Sequence, residues 1–254
     1  MGISVVSTGE WLSATALEAR LRAVGASRYH HLHPFHQRMH RGELSRGQMQ
    51  AWALNRYFYQ SRIPIKDALI LAKSDDPAFR RAWRKRILDH DGEQNGMGGI
   101  EKWIRLAEAT GVERAQVMAC EGVLPGVRYA VDAYLGLVRE ASLVGAVASS
   151  LTELFSRDLI VLRMDRLRAH YPYLRDALGY FEGRLTQAPE DAAFALEYVT
   201  DHATTRELQE EAIAALERKC AILWAQLDAI DYAYVEPGWI PPGCFRPEEK
   251  RSWM

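Results

Sequence analysis

The sequence predicts an all-α protein, a compact bundle of seven or eight helices, and three observations predict it. No stretch sustains the apolar–polar alternation of a half-buried strand. Helix-start signals recur down the chain: Ser45 with Gln48, Asp76 before Pro77, Pro125, Pro189, and Thr204 with Glu207. The segments between them are long, with no internal repeat and no low-complexity linker, and helices of that length favour a bundle. With 254 residues, 48% of them hydrophobic, the chain can fill one large core, so residues 1–254 are read as a single all-helical domain.

Taken in order, Pro34 starts a short helix after RYHHLH. The Ser45–Gln48 capping box opens MQAWALNRYFYQ, which Pro64 kinks or restarts. Asp76 caps PAFRRAWRKRILDHD, the glycine-rich DGEQNGMGG follows, and IEKWIRLAEAT stops at Gly111. Pro125 opens GVRYAVDAYLGLVRE. The longest uncharged run, Ala141 to Thr152, is too short to span a bilayer and is read as a buried helix continuing through TELFSRDLIVLRMDRLR. Pro189 opens EDAAFALEYVTDHA, and Thr204 with Glu207 caps the long last helix. From about residue 236 the proline-rich VEPGWIPPGCFRP is expected to lie extended on the surface.

Composition narrows the function. A net charge of −1 gives no field that would gather nucleic acid. Three dispersed cysteines, Cys120, Cys220 and Cys244, show neither a disulfide framework nor CxxC spacing and suit a reducing cytoplasm. MGISVVSTGEWL lacks the charged-then-apolar pattern of a signal peptide, so neither export nor membrane insertion is expected.

Five of eight histidines crowd into residues 28–40. His36 and His40 have the one-turn spacing of metal ligands, but a solvated amphipathic helix explains them as well. No histidine has a carboxylate three or four residues before it, so the Glu-x-x-His pattern of di-iron bundles is missing. Tyr29, His30 and His31 can contact a ligand or cap neighbouring helices. More informative are three one-turn pairs on three helices: Arg56 with Gln60, Arg86 with His90, and Tyr180 with Arg184. Each projects groups that bind carboxylates or move protons. Glu153 and Arg163 sit among apolar residues, where a charge needs a partner. The residues therefore point to a helical bundle around an arginine-rich pocket for a small polyanion.

At these stretches the chain resembles the pyrroloquinoline-quinone synthase family. The matching segments are YHHLHPFH (29–36), NRYFYQ with PIKDA (55–68), RILDHDG (86–92), GGIEKWIRLAE (98–108), LPGVRYAVDAY (124–134), SSLTELF (149–155), HYP (170–172), RLTQAP (184–189) and ILWAQLDA (222–229). The resemblance implies a haem-oxygenase-like bundle, usually a homodimer, that catalyses the last step of PQQ formation. That step closes a ring in 3a-(2-amino-2-carboxyethyl)-4,5-dioxo-hexahydroquinoline-7,9-dicarboxylate and removes eight electrons with O2, releasing H2O2. Neither metal nor organic cofactor is implied. By resemblance, Tyr29, His30, Arg56, Gln60, Lys66, Arg86, Tyr134, Thr152, Glu153 and Lys219 hold substrate. His90, Tyr180, Arg184 and Arg163 are the implied catalytic group, with His90 as base and Tyr180 as donor. His36 and His40 are left as helix surface or interhelical contacts, not a metal site. One departure is Ile160, where part of the family has a histidine. Rival readings are a thiaminase II-like hydrolase using Cys120 or Cys220, a metal-dependent oxidase on the same fold, and a non-catalytic quinone carrier.

Overall fold

Capping chemistry sets most of the helix boundaries in the computed structural model, which describes residues 11–247. Among these, twelve α-helices and three short 3-10 turns account for the regular structure, and there is no strand. Helix α1 (Ala14–Arg28) leads through the turn His30–Leu32 into α2 (Pro34–Arg41). The Ser45–Gln48 box forms in both directions and opens α3 (Arg46–Gln60). Pro64 sits in the first turn of a new helix, α4 (Ile63–Leu71). Asp76 accepts from the N–H groups of Ala78 and Phe79 to open α5 (Pro77–Asp91). Then come α6 (Gly98–Thr110), ended by Gly111 at φ 102°, α7 (Arg114–Ala119) and α8 (Pro125–Glu140). The chain closes with α9 (Leu143–Ala148), α10 (Ser156–His170), α11 (Gly179–His202) and α12 (Arg206–Tyr234).

The structure corrects three boundaries, and its twelve α-helices exceed the seven or eight expected because short helices such as α7 stand on their own. The uncharged run is not one helix: α9 stops at Ala148, a 3-10 turn spans Leu151–Phe155, and α10 begins afresh at Ser156. Ser149 donates its hydroxyl to Ala146 O, the local competition with backbone pairing that favours a break. Pro189 does not open a helix but lies inside α11. Phe181, Arg184, Ala188, Ala192, Ala195 and Val199 form one buried stripe through it, and that packing outweighs a proline penalty of about 3 kcal/mol. Thr205, not Thr204, caps α12 by accepting from Leu208 N, so the predicted capping box does not form.

Buried residues form one continuous cluster, with Trp52, Trp83 and Trp103 among its largest members. Trp103 donates to Ala53 O, and Asn55 ties α3 to α8 by accepting from Leu124 N. From residue 236 to 247 the chain carries no helix and is pinned by Phe245 N to Gly122 O and by Tyr234 OH to Phe245 O. No helix among the described residues is long and apolar enough to cross a membrane. The leader reading concerned residues that lie, up to position 10, outside the described ones.

The glycine-rich loop folds back on the end of α5. Gly98 has φ +87°, and a Cβ there would lie 2.5 Å from Gly92 N and 2.6 Å from His90 O. Both are backbone atoms and cannot swing aside. Gly98→Ala is therefore expected to cost about 1–3 kcal/mol in chemical denaturation, through left-handed strain and overpacking.

Candidate active site

The break between α9 and α10 turns Ser150, Thr152 and Glu153 toward a cavity of about 120 Å³. Arg56 and Gln60 reach it from α3, Lys66 from α4, His90 from α5 and Tyr134 from α8. Arg163 comes from α10, Tyr180 and Arg184 from α11, and Tyr29 and His30 from the turn after α1. Twelve of the fourteen residues singled out in the sequence thus share one wall. The other two stand directly behind it. Arg86 donates to Glu153 Oε2 at 2.6 Å, and Lys219 donates to Tyr59 OH at 2.7 Å with its ammonium 3.2 Å from the Tyr134 ring centre.

Six cations meet three carboxylates here. Glu153 bridges Arg86 and Arg184, Asp191 backs the same two arginines at 3.7 and 3.3 Å, and Asp67 pairs with Lys66. Arg56, Arg163 and Lys219 have no carboxylate within 4 Å among the described residues. The Arg56 guanidinium lies over the Tyr59 ring at 4.0 Å. The expectation that Glu153, half-buried in the structure, finds an ionic partner holds; for Arg163 it does not, and a neutral imidazole takes that place. Burial, then the charges of Arg56 and Lys66, pushes Lys219 well below the usual lysine range. Burial also lowers Arg163 to about 10, with Arg56 adding to the effect. A multiply charged anion would relieve all three cations at once.

His90 is placed for proton transfer. Its Nδ1 lies 2.9 Å from Arg86 O, and a carbonyl only accepts, so Nδ1 carries the proton and Nε2 keeps its lone pair. Burial, then the charge of Arg184, lowers its pKa to about 4. Tyr180 OH donates to Gln60 Oε1 at 3.0 Å, which joins two of the three one-turn pairs across the cavity. Tyr29 is pushed up to about 12 by burial and stays a neutral phenol.

The profile of the TENA/THI-4/PQQC family matches residues 18–229. The chain belongs to this family. It is 56% identical over 235 residues to the pyrroloquinoline-quinone synthase of Acidiphilium cryptum, covering 92% of this chain and 96% of that one. It is 52% identical to the pyrroloquinoline-quinone synthase of Gluconobacter oxydans, covering 93% and 99%. A crystal structure from Shewanella denitrificans, of a domain of unknown function with a haem-oxygenase-like fold, superposes with a TM-score of 0.69. It covers 93% of this chain and 100% of that one at 16% identity, which shows a common haem-oxygenase-like fold.

Within the TENA/THI-4/PQQC frame, several wall residues went unmarked in the sequence. Ser150, Trp103, Phe181 and Leu223 line the cavity; Ile160, singled out in the sequence, lines it too. Tyr59 was noted only as a neighbour of Arg56, yet it joins Arg56, Lys219 and Tyr134 in one stack. Asp191, two turns beyond Arg184, carried a spacing signal. Of the two readings of His36 and His40, helix surface fails because both are buried, and interhelical contact holds for His36, which meets Arg163 of α10. His31 faces a separate groove beside α1, α2 and α10.

Neither Cys120 nor Cys220 reaches the cavity. Burial raises both thiols, Cys220 to about 11, which leaves the thiol-nucleophile reading without support. Among the described residues no three His, Cys, Asp or Glu side chains converge as a metal-ligand set.

Proposed function

We propose that this protein is a pyrroloquinoline-quinone synthase carrying out the final step of PQQ biosynthesis. The observation that carries the reading is the buried cavity whose wall carries Arg56 and Arg163 without a carboxylate, with Lys219 behind it, in a chain more than half identical to synthases along almost its whole length. A quinone precursor with several carboxylates has the charge that this wall lacks. Arg56 and Lys66 would hold those carboxylates with Gln60, Arg86 and Lys219 would add their charge from behind the wall, and Tyr29, His30, Tyr134, Thr152 and Glu153 shape the walls.

His90 would take a proton from a ring carbon through Nε2, and Tyr180 would donate toward the developing enolate or peroxide. Each oxidation then removes two electrons and two protons from a quinol-like substrate, and O2 takes both up as H2O2. The guanidiniums of Arg163 and Arg184 stabilise the substrate anion and reduced oxygen beside it. Ile160 cannot hydrogen-bond oxygen, so that work falls to the groups around it. Ring closure without a metal or organic cofactor, a homodimeric state and a cytoplasmic setting belong to the same proposal.

The test is a single turnover on metal-stripped protein, mixed anaerobically with the precursor before O2 is admitted. Product absorbance with peroxide and no added metal is the expected result. Tight binding without product would overturn it in favour of a carrier, and recovery only with iron in favour of a metal-dependent oxidase.

A further inference from the structure

Arg163 has a single hydrogen-bond acceptor among the described residues. Its Nη2 lies 3.1 Å from His36 Nδ1, its buried Nε has no partner, and its guanidinium lies 6.0 Å from the Phe181 ring centre. His36 does not line the cavity; it stands behind Arg163 on α2, fully packed. The same Nδ1 is 2.9 Å from His30 O, and one ring nitrogen can either donate to that carbonyl or accept from the guanidinium. The carbonyl already accepts from His33 N, so it does not depend on the imidazole. Arg163 has no such alternative.

We infer that His36 is a positioning residue: its Nδ1 lone pair holds Arg163 in place and leaves the other N–H groups of the guanidinium for an anionic ligand. The imidazole must then carry its proton on Nε2. Burial, then the charge of Arg163, keeps it neutral, which preserves the acceptor. A carboxylate in the same place would have neutralised Arg163 and weakened its pull on substrate. The inference rests on the reading of the cavity as the quinone-precursor site.

Two measurements test it. Nitrogen-15 NMR of histidine-labelled protein should show His36 as the Nε2–H tautomer, changing to Nδ1–H in Arg163→Met as the ring turns to His30 O. An Nδ1–H tautomer in the unsubstituted protein overturns the inference, whatever the substrate proves to be. In turnover of the precursor, His36→Leu should raise KM about tenfold with kcat within about threefold. His36→Asn, whose Oδ1 replaces Nδ1, should restore KM to within about twofold. Neither change should matter in the Arg163→Met background. Equal KM for His36→Leu and the parent, or an equal loss in the Arg163→Met background, would sink the positioning role. If His36→Leu does not fold, His36→Gln, whose amide sits at the Nε2 end, replaces it with the same expected loss. A parent protein that turns over no precursor defeats the functional reading, while the tautomer still decides the His36–Arg163 pair.

Discussion

His90→Asn is expected to keep the quinone precursor bound and to lower single-turnover rates by about two to four orders of magnitude. The asparagine amide can still donate to Arg86 O as Nδ1 does, so α5 keeps its local bond. What disappears is the Nε2 lone pair, the one basic atom of that side chain free to face substrate. Folded His90 titrates near 4 because it is buried and faces the Arg184 charge. It is therefore an unprotonated base throughout the neutral range, and in the free enzyme its own acid limb in kcat/KM lies near pH 4. The sign for stability follows from the same shift. The unfolded imidazole takes up a proton near 6.5, the folded one only near 4. The stability held by neutral His90 is thus present above about 6.5 and lost as pH falls toward 4, and that slope should flatten in His90→Asn. Wild-type turnover by the variant would remove His90 from the chemistry.

Much of this site was legible because helices repeat. Arg56 with Gln60, Arg86 with His90 and Tyr180 with Arg184 could be placed on common faces from spacing alone, and those faces do converge. Arg86 shows where spacing stops: it shares a face with His90, yet it is spent on Glu153 behind the wall. What periodicity could not reveal is a break without proline or glycine. Ser149 and Ser150 read as the interior of an apolar helix, and α9 ends there with the Ser149 hydroxyl turned back onto Ala146 O. Pro189 misled in the opposite direction, because its neighbours' burial carries α11 through it. His36 was hidden for a third reason. Gln37, Arg38 and Arg41 beside it suggest solvent, whereas α10 covers that face of α2 and supplies Arg163.

Glu153→Ala is expected to be the most destabilising single change in the cavity wall, at about 3–5 kcal/mol in denaturant unfolding. Glu153 is the carboxylate shared by two arginines whose side chains are only 4% and 9% exposed. Replacing it leaves both charges buried with Asp191 alone, at 3.7 Å from one and 3.3 Å from the other. Asp191 is a poor substitute in the intact site. Burial and the neighbouring Glu153 charge hold its carboxyl up at about 6. Once Glu153 is gone the like charge goes too, Asp191 ionises more readily, and the loss should fall toward the lower end of that range. A polycarboxylate ligand offers the same arginines another anion, so product PQQ should stabilise Glu153→Ala by more than it stabilises the parent. The two effects belong together: a wall that needs Glu153 to stay folded when empty is one whose arginines are held ready for a second set of carboxylates. A variant that unfolds within about 0.5 kcal/mol of the parent would mean that Arg86 and Arg184 reach solvent, and that the cavity is not the enclosed cationic site described above.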